Sequence, residues 1–153
     1  MTSEFFYFDE AHAVKVHDLI IRDSGGSSGT NNLDLLNSPL EHIQNDLYYP
    51  NIEDKVTHLV YSINKNHAFT DGNKRSSIVL GSYFLELNGY NHLTGAFISK
   101  MENITVWLAA GDVDKDLLLD IVTSIIYEDD YSESLKLRIA MVAMQFNERN
   151  EID

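Results

Sequence analysis

An all-α fold is predicted by three features of the sequence. Prolines are confined to Pro39 and Pro50, apolar residues recur at spacings of three and four over most of the chain, and cap or stop residues punctuate those patterns. Asp9 is suited to cap a first helix carrying Ala13, Val14, Val16, Leu19 and Ile20. Ser24-Gly25-Gly26 ends it, because glycine accepts the left-handed termination. The stretch from Ser27 to Tyr49 is less regular: a Gly/Ser/Asn loop, a short apolar pattern at Leu33, Leu35 and Leu36, then Pro39, which disfavours helix at Ser38.

Beyond Pro50 a helix is predicted from about Ile52 to Asn66, with Val56, Leu59, Val60 and Ile63 on its apolar face and charged residues elsewhere. A second runs from about Asn73 to Leu87 and stops at Asn88-Gly89, and the two form a central hairpin. Further helices are predicted at about Phe97 to Ala110, Asp114 to Tyr127 and Ser132 to Asn147, with Glu128-Asp129-Asp130 as a solvated turn. In the last helix Leu135, Ile139, Val142 and Phe146 form a core-packing face. No linker or internal repeat interrupts the 153 residues, so one domain spanning 1–153 is expected.

Composition narrows the chemistry. Without cysteine there is no disulfide, thiolate nucleophile or thiolate metal site, which leaves His, carboxylates, Lys and Arg. A formal net charge of -13 repels nucleic-acid phosphates and favours protein partners. No run approaches the roughly 20 apolar residues of a membrane span, and MTSEFFYFDE is acidic rather than a basic leader, so a cytoplasmic protein is expected.

Chemistry concentrates between the two central helices, in His67-Ala68-Phe69-Thr70-Asp71-Gly72-Asn73-Lys74-Arg75. A histidine there can take a hydroxyl proton, Asp71 can hold a magnesium ion, and the start of a helix offers free N–H groups to an anion. Gly72 allows close backbone approach to a phosphate, while Asn73, Lys74 and Arg75 add donors at the same end. Phe69 reads as a buried anchor for the loop, and His12, His17, His42, His58 and His92 as structural histidines.

This segment resembles the active-site motif of the Fic/Doc superfamily: a histidine, a phenylalanine two residues on, an acidic residue, then a small-Asn-x-Arg run. Val16-His17-Asp18-Leu19-Ile20, Gly25-Gly26, Leu35-Leu36, Ile63-Asn64-Lys65-Asn66-His67 and Phe84-Leu85-Glu86-Leu87-Asn88-Gly89-Tyr90 extend the likeness, toward the death-on-curing (Doc) branch, over about Phe6 to Tyr127. The tail from 132 to 153 lies beyond it. The resemblance implies a compact Fic-type helical bundle with a central helix-loop-helix, and transfer of part of a Mg²⁺-bound ATP, or another nucleoside triphosphate, to a Ser, Thr or Tyr hydroxyl of a target protein. His67 would be the catalytic base, Asp71 the metal ligand, and Gly72, Asn73, Lys74 and Arg75 the phosphate-binding residues. Lys74 stands where Fic members carry glycine, and Ile78 where they carry a second arginine; Doc-like members carry lysine and present the γ-phosphorus. Kinase chemistry is therefore favoured, with AMP transfer as the alternative that Gly72 supports and a catalytically inactive binding module as a third reading. The resemblance also implies a separate antitoxin chain, a translation factor as the kind of target, and a docking flap drawn from Asn31 to Asn51, where the family's Gly-x-Arg-Asp pattern is absent. Ser124-Ile125-Ile126-Tyr127-Glu128-Asp129 comes close to an inhibitory helix of other Fic proteins but fits an ordinary core helix better.

Overall fold

The computed structural model describes residues 4–151. Among these residues seven α-helices follow one another: α1 (Glu10–Ser24), α2 (Asp34–His42), α3 (Ile52–Asn66), α4 (Asn73–Leu87), α5 (Thr94–Ala109), α6 (Lys115–Tyr127) and α7 (Glu133–Glu151). A single 3-10 turn, Asn91–Leu93, leads into α5, and among the described residues the only β pairing is an isolated bridge between Thr30 and Phe69. Asp9 caps α1 as the sequence predicts, and two further carboxylates, not singled out there as caps, close the starts of α6 and α3. The Asp9 carboxylate accepts from His12 N–H at 2.9 Å, and that of Asp114 accepts from Leu117 N–H at 2.8 Å. Asp54 closes the start of α3 by accepting from Asn51 N–H at 3.0 Å.

α3 is the centre of the bundle, packed against α2, α4, α5 and α6. Val56, Leu59, Val60 and Ile63 are fully buried on it, yet so are residues on its other sides, Lys55 among them. That corrects the expectation of a charged outer face. The α2–α3 connection folds back over the helix, and its carbonyl groups need a donor there. The Lys55 ammonium supplies it, reaching Ile43 O at 2.5 Å and Asp46 Oδ1 at 2.7 Å beneath the ring of Phe5. α4 lies close against both α3 and α5 because Gly81 has no side chain; a Cβ there would stand 2.9 Å from Val60 and 3.1 Å from Phe97.

Two further expectations need correction. Ser38 and Pro39 are helical, inside α2. Proline removes one amide there, but Leu36, Pro39 and Leu40 share a buried face, and their apolar burial offsets the lost hydrogen bond. On α1 the buried residues are Ala13, His17 and Ile21, spaced four apart, while Leu19 is exposed. At the far end of the chain, Leu135 and Val142 of α7 are buried, and Ile139 packs half-buried on the core. Within the near-inhibitory segment Ser124 is buried, whereas the Tyr127 side chain is exposed rather than part of the core.

His58, His42 and Lys115 join α3, α2 and α6 in one hydrogen-bonded chain. Lys115 Nζ donates to His58 Nδ1 at 2.8 Å, which leaves His58 Nε2–H to donate to His42 Nδ1 at 3.1 Å. Burial, the Lys115 charge and His42 push the His58 imidazole down to about 4. Its folded value thus lies below its unfolded one, and the folded state binds fewer protons between them. Stability is complete above about pH 6.5 and is lost as the pH falls from there through 4. A loss of about 1 to 2 kcal/mol is expected between pH 7 and 4, after allowance for partial solvation. Urea melts across that range should show it, and His58→Gln, which cannot titrate, should flatten the dependence.

Candidate active site

α3 ends without a glycine. His67 takes the left-handed cap conformation itself, at φ 54 and ψ 48, and is the only non-glycine residue among those described with positive φ. From there the chain dives inward: Ala68 and Phe69 are fully buried, while His67 stays exposed. The Phe69 ring stacks on the buried imidazole of His17, centroids 3.8 Å apart and planes 3° from parallel. His17 Nε2–H donates to the carbonyl oxygen of Asp71 at 2.6 Å, so α1 holds the loop at two points.

Asn73 closes the loop from the other side. Its amide oxygen accepts from Phe69 N–H at 3.1 Å and its amide nitrogen donates to Phe69 O at 3.0 Å. This side chain, read from the sequence as a phosphate donor, is buried and bonds the loop backbone at both its oxygen and its nitrogen while also lining the cleft. Gly72, at φ 77, turns the chain into α4. The first intrahelical bond runs from Ser76 N–H to Gly72 O at 2.9 Å, so the N–H groups of Asn73, Lys74 and Arg75 precede the ladder and face the helix N-terminus.

The Gly/Ser loop after α1 lies alongside. Ser27 N–H and Gly72 N–H donate to the two oxygens of the Asp71 carboxylate, at 3.1 and 2.8 Å. These two amides, with the charges of Arg75 and Lys74, hold Asp71 below the ordinary carboxylate range. Arg75 Nη1 donates to Gly25 O at 3.1 Å. Gly26 has no room for a side chain, since a Cβ there would stand 2.6 Å from the Asp71 carboxylate. Farther along, Asn31 N–H donates to Ala68 O at 2.8 Å, and its side-chain amide donates to His67 O and Phe69 O at 3.1 and 3.2 Å. Asn31 opens the Asn31 to Asn51 region, which continues from Asp34 as α2.

His67, Thr70, Asp71, Gly72, Asn73, Lys74 and Arg75 line one cleft of about 310 Å³, completed by Asn64 and by Ala109 of α5. Six of the predicted site residues therefore share it, and Phe69 lies beneath. No residue of α6 lines this cleft, so the Ser124 segment does not reach it. Among the described residues no three His or carboxylate side chains cluster as a metal site. An ion here would have Asp71 as its one carboxylate and would need anionic oxygens of a substrate to fill its shell, which suits Mg²⁺ with phosphates. The sequence reading missed the bracing by His17 and Asn31. The four-residue spacing of Ala13, His17 and Ile21 was the available signal for the first; nothing local marked the second.

A bundle whose central hairpin sets an exposed histidine, an aspartate and the free N–H groups of a helix N-terminus in one cleft has the architecture of Fic-type proteins. Residues 7–85 match the Fic/DOC family. The chain belongs to that family, on its Doc-like branch. It is 30% identical over 96 residues to the Toxin Doc of Mycolicibacterium smegmatis, an alignment covering 60% of this chain and 74% of that protein.

Proposed function

We propose that this protein is a Doc-like toxin that phosphorylates a Ser, Thr or Tyr hydroxyl of a target protein, drawing on a Mg²⁺-bound nucleoside triphosphate such as ATP. The observation that carries the reading is the sharing of one cleft by His67, Asp71 and the start of α4. His67, exposed at the cleft, takes the proton from the attacking hydroxyl as its oxygen bonds the γ-phosphorus and the bond to the β-phosphate oxygen breaks, releasing the nucleoside diphosphate. The N–H groups opening α4, with Lys74 and Arg75, receive the phosphate oxygens and stabilise charge that develops on them. A bound magnesium ion would neutralise phosphate charge as the group moves, and Asp71 is the residue that would hold it. Asn73, Phe69 and His17 keep these groups in register by fixing the loop between them.

Phosphoryl rather than AMP transfer is favoured by Lys74, which is exposed at the cleft, and by Ile78, a buried apolar residue at the position where Fic members carry a second arginine. Gly72 supports the alternative of AMP transfer, because its left-handed backbone allows a phosphate to approach closely. A separate antitoxin chain as regulator accompanies the Doc-like reading, since the relative named above is a toxin; a translation factor as target rests on the motif's resemblance alone.

Intact-mass spectrometry of a candidate translation factor, or of lysate fractions, after incubation with this protein, Mg²⁺ and ATP tests the reading. A gain of one phosphate that vanishes with His67→Ala is expected. A gain of one AMP would replace it with adenylylation. No gain in any fraction, together with no rise in melting temperature on adding Mg²⁺ and ATP, would favour a binding module without catalysis.

A further inference from the structure

Among the described residues, the element with the most exposed large apolar side chains is α7, which lies outside the residues matching the family. Its inner face is used: Leu135 and Val142 are buried. Its outer face carries Leu137, Met141 and Met144, 64%, 53% and 61% exposed, with exposed Ala140 between them. The spacing i, i+3, i+4, i+7 aligns the four along one stripe, the pattern by which a helix meets another helix. Isolated exposed apolar side chains need no explanation, whereas an aligned stripe marks a contact surface.

The residues that close the stripe have one sign. Glu133 stands one turn before Leu137 and Glu148 one turn after Met144, both exposed. The basic residues of α7 are engaged with this chain's own acids. Arg138 pairs with Asp120 at 2.7 Å, Arg149 donates to Asp112 at 2.6 Å, and Lys136 sits between Asp130 at 3.0 Å and, more loosely, Glu133 at 3.6 Å. These end charges decide what fits. In an antiparallel pairing with a second copy, Glu133 would meet Glu148; in a parallel one each glutamate would meet its own counterpart. Either arrangement sets like charges together at both ends, between chains already carrying -13 each.

We propose that the outer face of α7 docks an amphipathic helix of a partner protein whose apolar stripe is flanked by lysines or arginines. The apolar side chains supply the contact and the glutamates set register and speed the encounter. This surface is separate from the cleft, and its occupation does not depend on the transfer reaction.

The test uses the whole chain and a synthetic amphipathic peptide of roughly 20 residues, with leucines at the matching spacing and lysine pairs at both ends. A second peptide carries glutamates at those ends, and light scattering follows the protein alone. The lysine-ended peptide is expected to bind at least about tenfold more tightly than the glutamate-ended one. Met141→Lys should weaken it by a similar factor with an unchanged melting temperature, and Glu133→Lys with Glu148→Lys should reverse the preference. Equal binding of the two peptides, no binding of either, or indifference to Met141→Lys would overturn the proposal. A dimer abolished by Met141→Lys would assign the face to a second copy instead.

Discussion

Replacing His67 with glycine is expected to abolish group transfer while making the protein more stable. The transfer rate should fall by about 10²- to 10⁴-fold, the contribution of a positioned general base. Stability should rise by about 0.5 to 1 kcal/mol, or roughly 2 °C in melting temperature for a chain of this size, because φ 54 strains a residue with a Cβ and suits glycine. His67→Ala should lose the same activity without that gain, since alanine is strained there too. Calorimetry of the two variants beside a transfer assay separates the terms. A histidine retained at a conformationally unfavourable cap, exposed and beside a helix N-terminus, is better explained by chemistry than by folding. A loss of stability in the glycine variant would show instead that the imidazole is structural.

The second large effect is on the fold. Phe69→Ala should cost about 3 to 5 kcal/mol, the usual range for removing a fully buried aromatic ring. That corresponds to a fall of about 10 °C in melting temperature. The ring's deletion leaves the buried His17 imidazole without its stacking partner at 3.8 Å and loosens the backbone that Asn73 grips. Chemical denaturation measures the loss. Phe69→Leu, which keeps most of the volume, should cost under about 2 kcal/mol. If alanine cost no more than leucine, the loop would be held by its hydrogen bonds alone. The transfer rate, read well below the melting point, should fall with alanine even while the protein is folded, because Asp71 is tied to the same loop through His17.

Much of this architecture was legible because it rests on local signals. The start of α3 and the end of α4 follow from Pro50 and Asn88-Gly89, and the cap Asp9 acts within its own first turn. Where the sequence misled, a tertiary contact outweighed a local preference. Pro39 was read as a helix boundary, but the buried face of Leu36, Pro39 and Leu40 carries α2 through it. Lys55 lies among the charged residues expected off the apolar face of α3, but the carbonyl of Ile43 and the carboxylate of Asp46, brought over α3 by the returning chain, draw it inside. What the sequence did not reveal about Asn73 is a second task, the engagement of its amide by the Phe69 backbone.

By itself the sequence determined an all-α chain, its central hairpin, and the grouping of His67 with Asp71, Gly72, Lys74 and Arg75, because nine consecutive residues bridging two helices have little choice but to lie together. The tertiary structure alone decided how that segment is held. His17 on α1 and Ser27 and Asn31 in the following loop bond the site from 36 to 54 residues away in the chain, Ala109 at the end of α5 completes the cleft, and no local periodicity encodes these meetings. It also decided that the stripe on α7 faces outward. An amphipathic pattern names two faces of a helix, and only packing against α5 chooses the one that is buried.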